Sequence, residues 1–132
     1  MGIAAYKRTI SQTETPRQIE RRVLSRATSE LERLGAEYDS AEQGLDKLGI
    51  LAKGLHNALW QNQRVWQAFQ YDLSQESNTL PPNLRASLLS LSIWVDTHTR
   101  GVLHGNNKVG PLIDINRTII RALDGNTLQV ME

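Results

Sequence analysis

The sequence predicts an all-α protein, a bundle of four amphipathic helices with space for a short fifth at the N-terminus. Three observations predict it. Apolar residues recur at three- and four-residue spacing, and no stretch sustains period-two alternation. Thr15-Pro16, Pro81-Pro82 and Gly110-Pro111 supply helix starts. The links between periodic segments are short, as antiparallel neighbours require. At 132 residues the chain makes one domain, 1–132, with residues 1–14 as an N-terminal arm and 125–132 as a mobile tail.

The first helix starts at Thr15-Pro16-Arg17-Gln18. Thr15 caps it, Pro16 suits the first helical position, and Gln18 completes a capping box. At about 100° per residue, Ile19, Val23, Leu24, Ala27, Leu31 and Leu34 fill one arc of roughly 140°. Gly35 is the expected stop. Arg22, Arg26 and Arg33 line the flank of that arc, with Glu30 beside them. A solvated face accounts for this stripe, and a binding stripe is its alternative.

The second helix is expected from Ser40, with Gln43 completing another capping box, to Leu73. Gly44, Gly49 and Gly54 each weaken its first half by up to about 1 kcal/mol, so a break belongs there. Leu48, Leu51, Leu55, Leu59, Trp66, Phe69 and Leu73 make its apolar stripe. Trp66 is therefore a core residue. Trp60 points about 120° away, near Arg64 and Tyr71. Those three residue types dominate interface hot spots. The competing reading is that another segment of the chain covers Trp60.

The third helix covers Pro82 to His104, before Gly105. Leu84, Leu88, Leu91, Val95 and Val102 form a core stripe, while Ala86, Leu89 and Ile93 form a second one with Trp94 between the two. A helix apolar on two faces is either central in the fold or holds one face for a partner. The fourth helix opens at Pro111 and ends near Asp124-Gly125. Within its apolar arc of Leu112, Ile115, Ile119, Ile120 and Leu123 sits Asn116, as Asn62 sits within the stripe of the second helix. A buried amide without partners costs about 1–3 kcal/mol, so each must find backbone, the other amide or a ligand. The plain role for the pair is structural, fixing helix register. Asp114 and Arg117 face outward as a helical i,i+3 ion pair.

Composition narrows the function classes. A net charge of +1 provides no general excess for neutralising phosphates. With no cysteine, disulfides and thiolate metal sites are excluded. No apolar run reaches the roughly 20 residues of a membrane span, and the N-terminus lacks a signal-peptide pattern, so a cytoplasmic protein is expected. His98 and His104 lie about 120° apart round one helix and cannot clasp one metal. No nucleophile elbow, phosphate loop or zinc-protease motif is present. The residues describe a binding or scaffolding bundle, with no catalytic site, metal or cofactor.

The order of motifs along the chain resembles the FlaF family of alphaproteobacterial flagellar biosynthesis. The resemblance runs from Ala5-Tyr6 and Thr15-Pro16-Arg17 with Glu20 to Asn62-x-Arg64-x-Trp66 and Leu80-Pro81 with Leu84-Arg85-Ala86. It continues through Ser90-Leu91-Ser92-Ile93-Trp94-Val95 and ends at Leu112-Ile113-Asp114-Ile115-Asn116-Arg117-Thr118-Ile119. Gln63 stands where the family commonly has a basic residue, and Trp60 is not a hallmark of the pattern. The resemblance implies a factor required for flagellin production and export. It would be a chaperone-like partner of flagellin, acting alongside FlbT, the regulator of flagellin messenger translation.

Two binding hypotheses follow. In one, the face of Ala86, Leu89, Ile93 and Trp94 takes a flagellin helix, with Trp60, Arg64 and Tyr71, and the outward Asp114 and Arg117, as further contacts. In the other, Arg17, Arg21, Arg22, Arg26 and Arg33 act on flagellin mRNA.

Overall fold

The computed structural model describes residues 15–124, and the expected N-terminal arm, short fifth helix and C-terminal tail lie outside the described residues. Every element among the described residues is helical: α1 (Pro16–Ser40), α2 (Gly44–Ile50), a π turn (Leu51–Leu55), α3 (His56–Ser74), α4 (Pro82–Leu103) and α5 (Gly110–Leu123). α2, the π turn and α3 follow one another without a linker, so the fold is the four-helix bundle that the periodicity predicts. No helix among the described residues is long and apolar enough to cross a membrane.

The α1 capping box forms as expected. The Gln18 N–H donates to Thr15 Oγ1 at 3.1 Å, and the Thr15 N–H donates to Gln18 Oε1 at 2.8 Å. The helix does not stop at Gly35 but continues to Ser40. Gly35 is buried where α5 crosses, and a Cβ there would stand 3.2 Å from Val109 Cγ1 and 3.3 Å from Ile113 Cδ1. The missing side chain lets two helices approach; it is not a terminator. The extension carries Tyr38 into the core, where its hydroxyl donates to the Val102 carbonyl. The buried arc of α1 thus turns toward Thr28, Gly35 and Tyr38, leaving Ile19 and Val23 at its exposed edge.

The second capping box is absent, because Ser40 is the last residue of α1 and α2 begins at Gly44 after Gln43. The expected break falls at Gly54, whose φ of 146° lies outside the reach of an ordinary side chain. The π turn inserts a residue and rotates the preceding turn by about 100°. Ile50 therefore joins the expected Leu51 in the core, and Leu48, expected on the stripe, is 61% exposed.

α1 packs chiefly against α5, α3 against α4, and α1 also against α3; α4 and α5 meet only over a short stretch. The α4 seam is lined by Ser92, Val95, Thr99 and Val102, at heptad-like spacing. Both hydroxyls turn back onto their own helix, Ser92 to Leu89 O and Thr99 to Val95 O, so neither is left unpaired in the seam. α5 is capped from a distance. The N–H groups of Val109 and Gly110 donate to the two carboxylate oxygens of Asp39, at 2.7 and 2.9 Å. This satisfies donors at the start of α5 and brings a negative charge to the positive end of its dipole.

Candidate binding surfaces and an end cavity

The two helical asparagines meet in the core. Asn116 donates from Nδ2 to Asn62 Oδ1 at 2.8 Å and accepts at Oδ1 from Trp66 Nε1 at 2.9 Å. Both amides are fully buried. Of the partners foreseen for them, the other amide is the one found. The Asn62 Nδ2 donor has no hydrogen-bond partner among the described residues. Trp66 is pinned by its indole N–H and meets Phe69 edge-on, with ring centroids 5.6 Å apart.

Trp66 also forms part of the wall of a cavity of about 400 Å³ at one end of the bundle. The α4–α5 hairpin closes at residues 103–110 and its arms part toward this end, where Leu88, Ile119 and Leu123 line the opening. Phe69 and Leu73 of α3 and Leu80 of the loop that follows it complete the apolar wall. The start of α1 supplies its cap Thr15 with Pro16, Arg17 and Glu20, and α3 adds Asp72. Burial raises the Glu20 carboxyl above its ordinary range, and Asp72 adds to the rise while Arg17 opposes it. Asp72 also accepts from Asn78 Nδ2 at 3.3 Å.

Two exposed patches lie elsewhere. On α3 Trp60 is 46% exposed and the Arg64 guanidinium stands 4.8 Å from its ring centroid, while Tyr71 is exposed further along. No described segment covers Trp60, and the cation–π pair is worth about 0.5–1 kcal/mol at such a site. On α4 Ile93 and Trp94 are 58% and 38% exposed, with Ala86 exposed and Leu89 half-buried on the same helix. The Trp94 ring stacks on His98 at 4.7 Å, and His98 is held in turn by its Nε2 contact to Lys108 O at 2.7 Å. The Gln63 amide donates to Asp96 at 3.3 Å, joining the two helices that bear these patches.

The structure does not pair Arg117 with Asp114. Arg117 instead donates from Nε and Nη2 to Glu32 Oε1 of α1, at 3.1 and 2.7 Å. Tertiary packing of α5 on α1 offers an acidic partner whose geometry accepts two donors at once, which the i,i+3 neighbour does not match. Arg117 thus clamps two helices together, while Asp114 remains exposed.

The family model described as flagellar protein FlaF matches residues 3–123. The chain belongs to the FlaF family. No curated protein and no solved structure matches it.

Several residues that carry the FlaF resemblance converge in space although they are scattered in sequence. Thr15-Pro16-Arg17, Glu20, Trp66, Leu80 and Ile119 all line the end cavity, and Asn116, itself bonded to Asn62, holds the Trp66 indole. Reasoning along single helices missed this cavity, because it belongs to no one face. The motif spacing held a signal all the same: Thr15-Pro16 and Leu80, each at a helix start, line one opening. Of the sequence-predicted contacts, Trp60 and Arg64 come together, and Ile93 and Trp94 adjoin on α4.

Proposed function

We propose that this FlaF-family chain is a cytoplasmic, non-enzymatic, chaperone-like factor that binds flagellin and is required for its production and export. The observation that carries the reading is the exposed Ile93–Trp94 pair on α4. Water-exposed aliphatic and indole side chains on a firmly packed helix are characteristic of partner surfaces. α4 is held by Val95, Thr99 and Val102 in the core, so its outer side is presented in a fixed geometry. The matching partner is an amphipathic helix laid against this side of α4, and the terminal segments of flagellin have that character. Trp60, Arg64 and Tyr71 on neighbouring α3 extend the contact, and FlbT is a further partner of the same process.

A second reading, action on flagellin mRNA directly or through FlbT, would use the α1 arginines. Their surroundings favour the protein reading. Arg21 is paired with Asp124 and Arg33 lies 3.7 Å from Glu30, so a phosphate would compete with carboxylates already in place. Calorimetric titration with flagellin and with the flagellin messenger leader, each at low and moderate salt, separates the two. The protein reading expects a flagellin complex that tolerates salt. Binding of leader RNA alone, falling steeply with salt, would overturn it.

A further inference from the structure

The end cavity has a chemistry that the exposed α4 patch lacks. Its walls are aromatic and aliphatic, from Trp66, Phe69 and Leu73 on α3, Leu88 on α4 and Leu123 on α5. Its volume of about 400 Å³ lies in the range of ordinary ligand pockets. Two carboxylates, Glu20 and Asp72, stand at its lining against one guanidinium, Arg17. The nearby cations are turned elsewhere: Arg21 pairs with Asp124, and Arg85 donates from Nε to the Leu73 carbonyl at 2.6 Å.

We infer that this cavity anchors a partner segment that inserts one large apolar side chain and sets a lysine or arginine of the same segment against Glu20 and Asp72. The argument is charge complementarity on an apolar socket. The half-buried Glu20 carboxylate is poorly solvated and repelled by Asp72, with Arg17 alone in compensation among the described residues. An incoming cation relieves that arrangement, whereas an acidic segment worsens it and a neutral one buries the carboxylate further with nothing to offset the lost water. The apolar wall alone would not choose among them. Trp66 is suited to be the floor of such a socket because Asn116 fixes its ring plane through the indole N–H. This inference does not require the partner to be flagellin, and it concerns a different surface from Ile93 and Trp94. Its failure would leave the proposed function standing.

The test uses the full chain and two synthetic helical peptides of about four turns. Both carry a leucine and phenylalanine face; one has lysine a turn from the phenylalanine, the other glutamate at that position. Binding is followed by the Trp66 indole N–H resonance, assigned with Trp60→Phe and Trp94→Phe. The lysine peptide should shift that resonance and bind at least about fivefold tighter than its glutamate twin. The Glu20→Gln/Asp72→Asn double variant keeps both side-chain shapes and should fold; it should bind both peptides alike. Absence of binding, or a lysine preference that survives in the double variant, would overturn the inference. So would a Trp66 shift that follows protein concentration alone, which assigns the cavity to a second copy. Lysine-peptide binding that appears only when residues 1–14 are removed would likewise overturn it, assigning the cavity to the chain's own N-terminal residues.

Discussion

Trp66 and Asn116, fifty positions apart in the chain, are joined by a buried hydrogen bond of 2.9 Å from the indole N–H to the carboxamide oxygen. The bond crosses from α3 to α5, and a second one from Asn116 to Asn62 returns to α3. Asn116→Ala leaves the Trp66 N–H and the Asn62 oxygen without partners and opens a small void. The expected loss is about 2–4 kcal/mol of unfolding free energy. A double-mutant cycle with Asn62→Ala should give a coupling of about 1 kcal/mol or more by urea denaturation. Additive losses would mean that the two amides act separately.

Asp39 caps α5 from the far end of α1, holding the N–H groups of Val109 and Gly110. Asp39→Ala should cost about 1.5–3 kcal/mol, as charge-assisted bonds to orphan donors do. Asp39→Asn keeps an acceptor but loses the charge and should lie between. Equal stability of all three proteins by thermal melts would remove the cap from the account.

Gly54 and Gly49 should respond to alanine with opposite signs. Gly54 sits at φ 146°, and a Cβ there would come within 3.0 Å of Arg33 Nη2, so Gly54→Ala should destabilise by about 1–3 kcal/mol. Gly49 is helical with open space around it, and Gly49→Ala should stabilise by about 0.5–1 kcal/mol. Chemical denaturation of the two variants checks both signs.

Glu20 sets a pH dependence. Its carboxyl is raised above the ordinary glutamate value of 4.5 by burial first and Asp72 second, against Arg17. The native state therefore holds the proton more tightly than the unfolded chain. That contribution to stability is full below the ordinary value and is lost as pH rises through the native one, so ionised Glu20 disfavours the fold at neutral pH. Glu20→Gln should raise Tm at about pH 7 and change it little at about pH 4. A variant that is less stable at neutral pH would show that the Arg17 attraction outweighs burial.

What was legible in the sequence was whatever a single helix encodes. The Thr15 capping box, the core position of Trp66 and the break among the glycines before His56 all follow from local pattern. So does the pairing of Trp60 with Arg64, one turn apart. What failed depended on partners remote in the chain. Gly35 looked like a helix stop because its real cause, the passage of Ile113 on α5 and of Val109 just before it, is remote in the chain. Leu48 was misplaced because a π turn shifts the phase, and periodicity carries no mark of one. Arg117 chose Glu32 over Asp114 for the same non-local reason. The end cavity gathers side chains from α1, α3, α4, α5 and the loop before α4, so helical wheels drawn one at a time do not contain it.

The proposed binding of flagellin by the outer side of α4 is probed by Ile93→Asp. Ile93 is mostly exposed, so the substitution should leave helicity and Tm nearly unchanged while placing a charge in the contact. Calorimetric titration of this variant with flagellin at moderate salt is the measurement. Affinity should fall at least about tenfold relative to the unaltered chain, with the circular dichroism spectrum preserved. An Ile93→Asp protein that is folded and binds flagellin as tightly as before would contradict it.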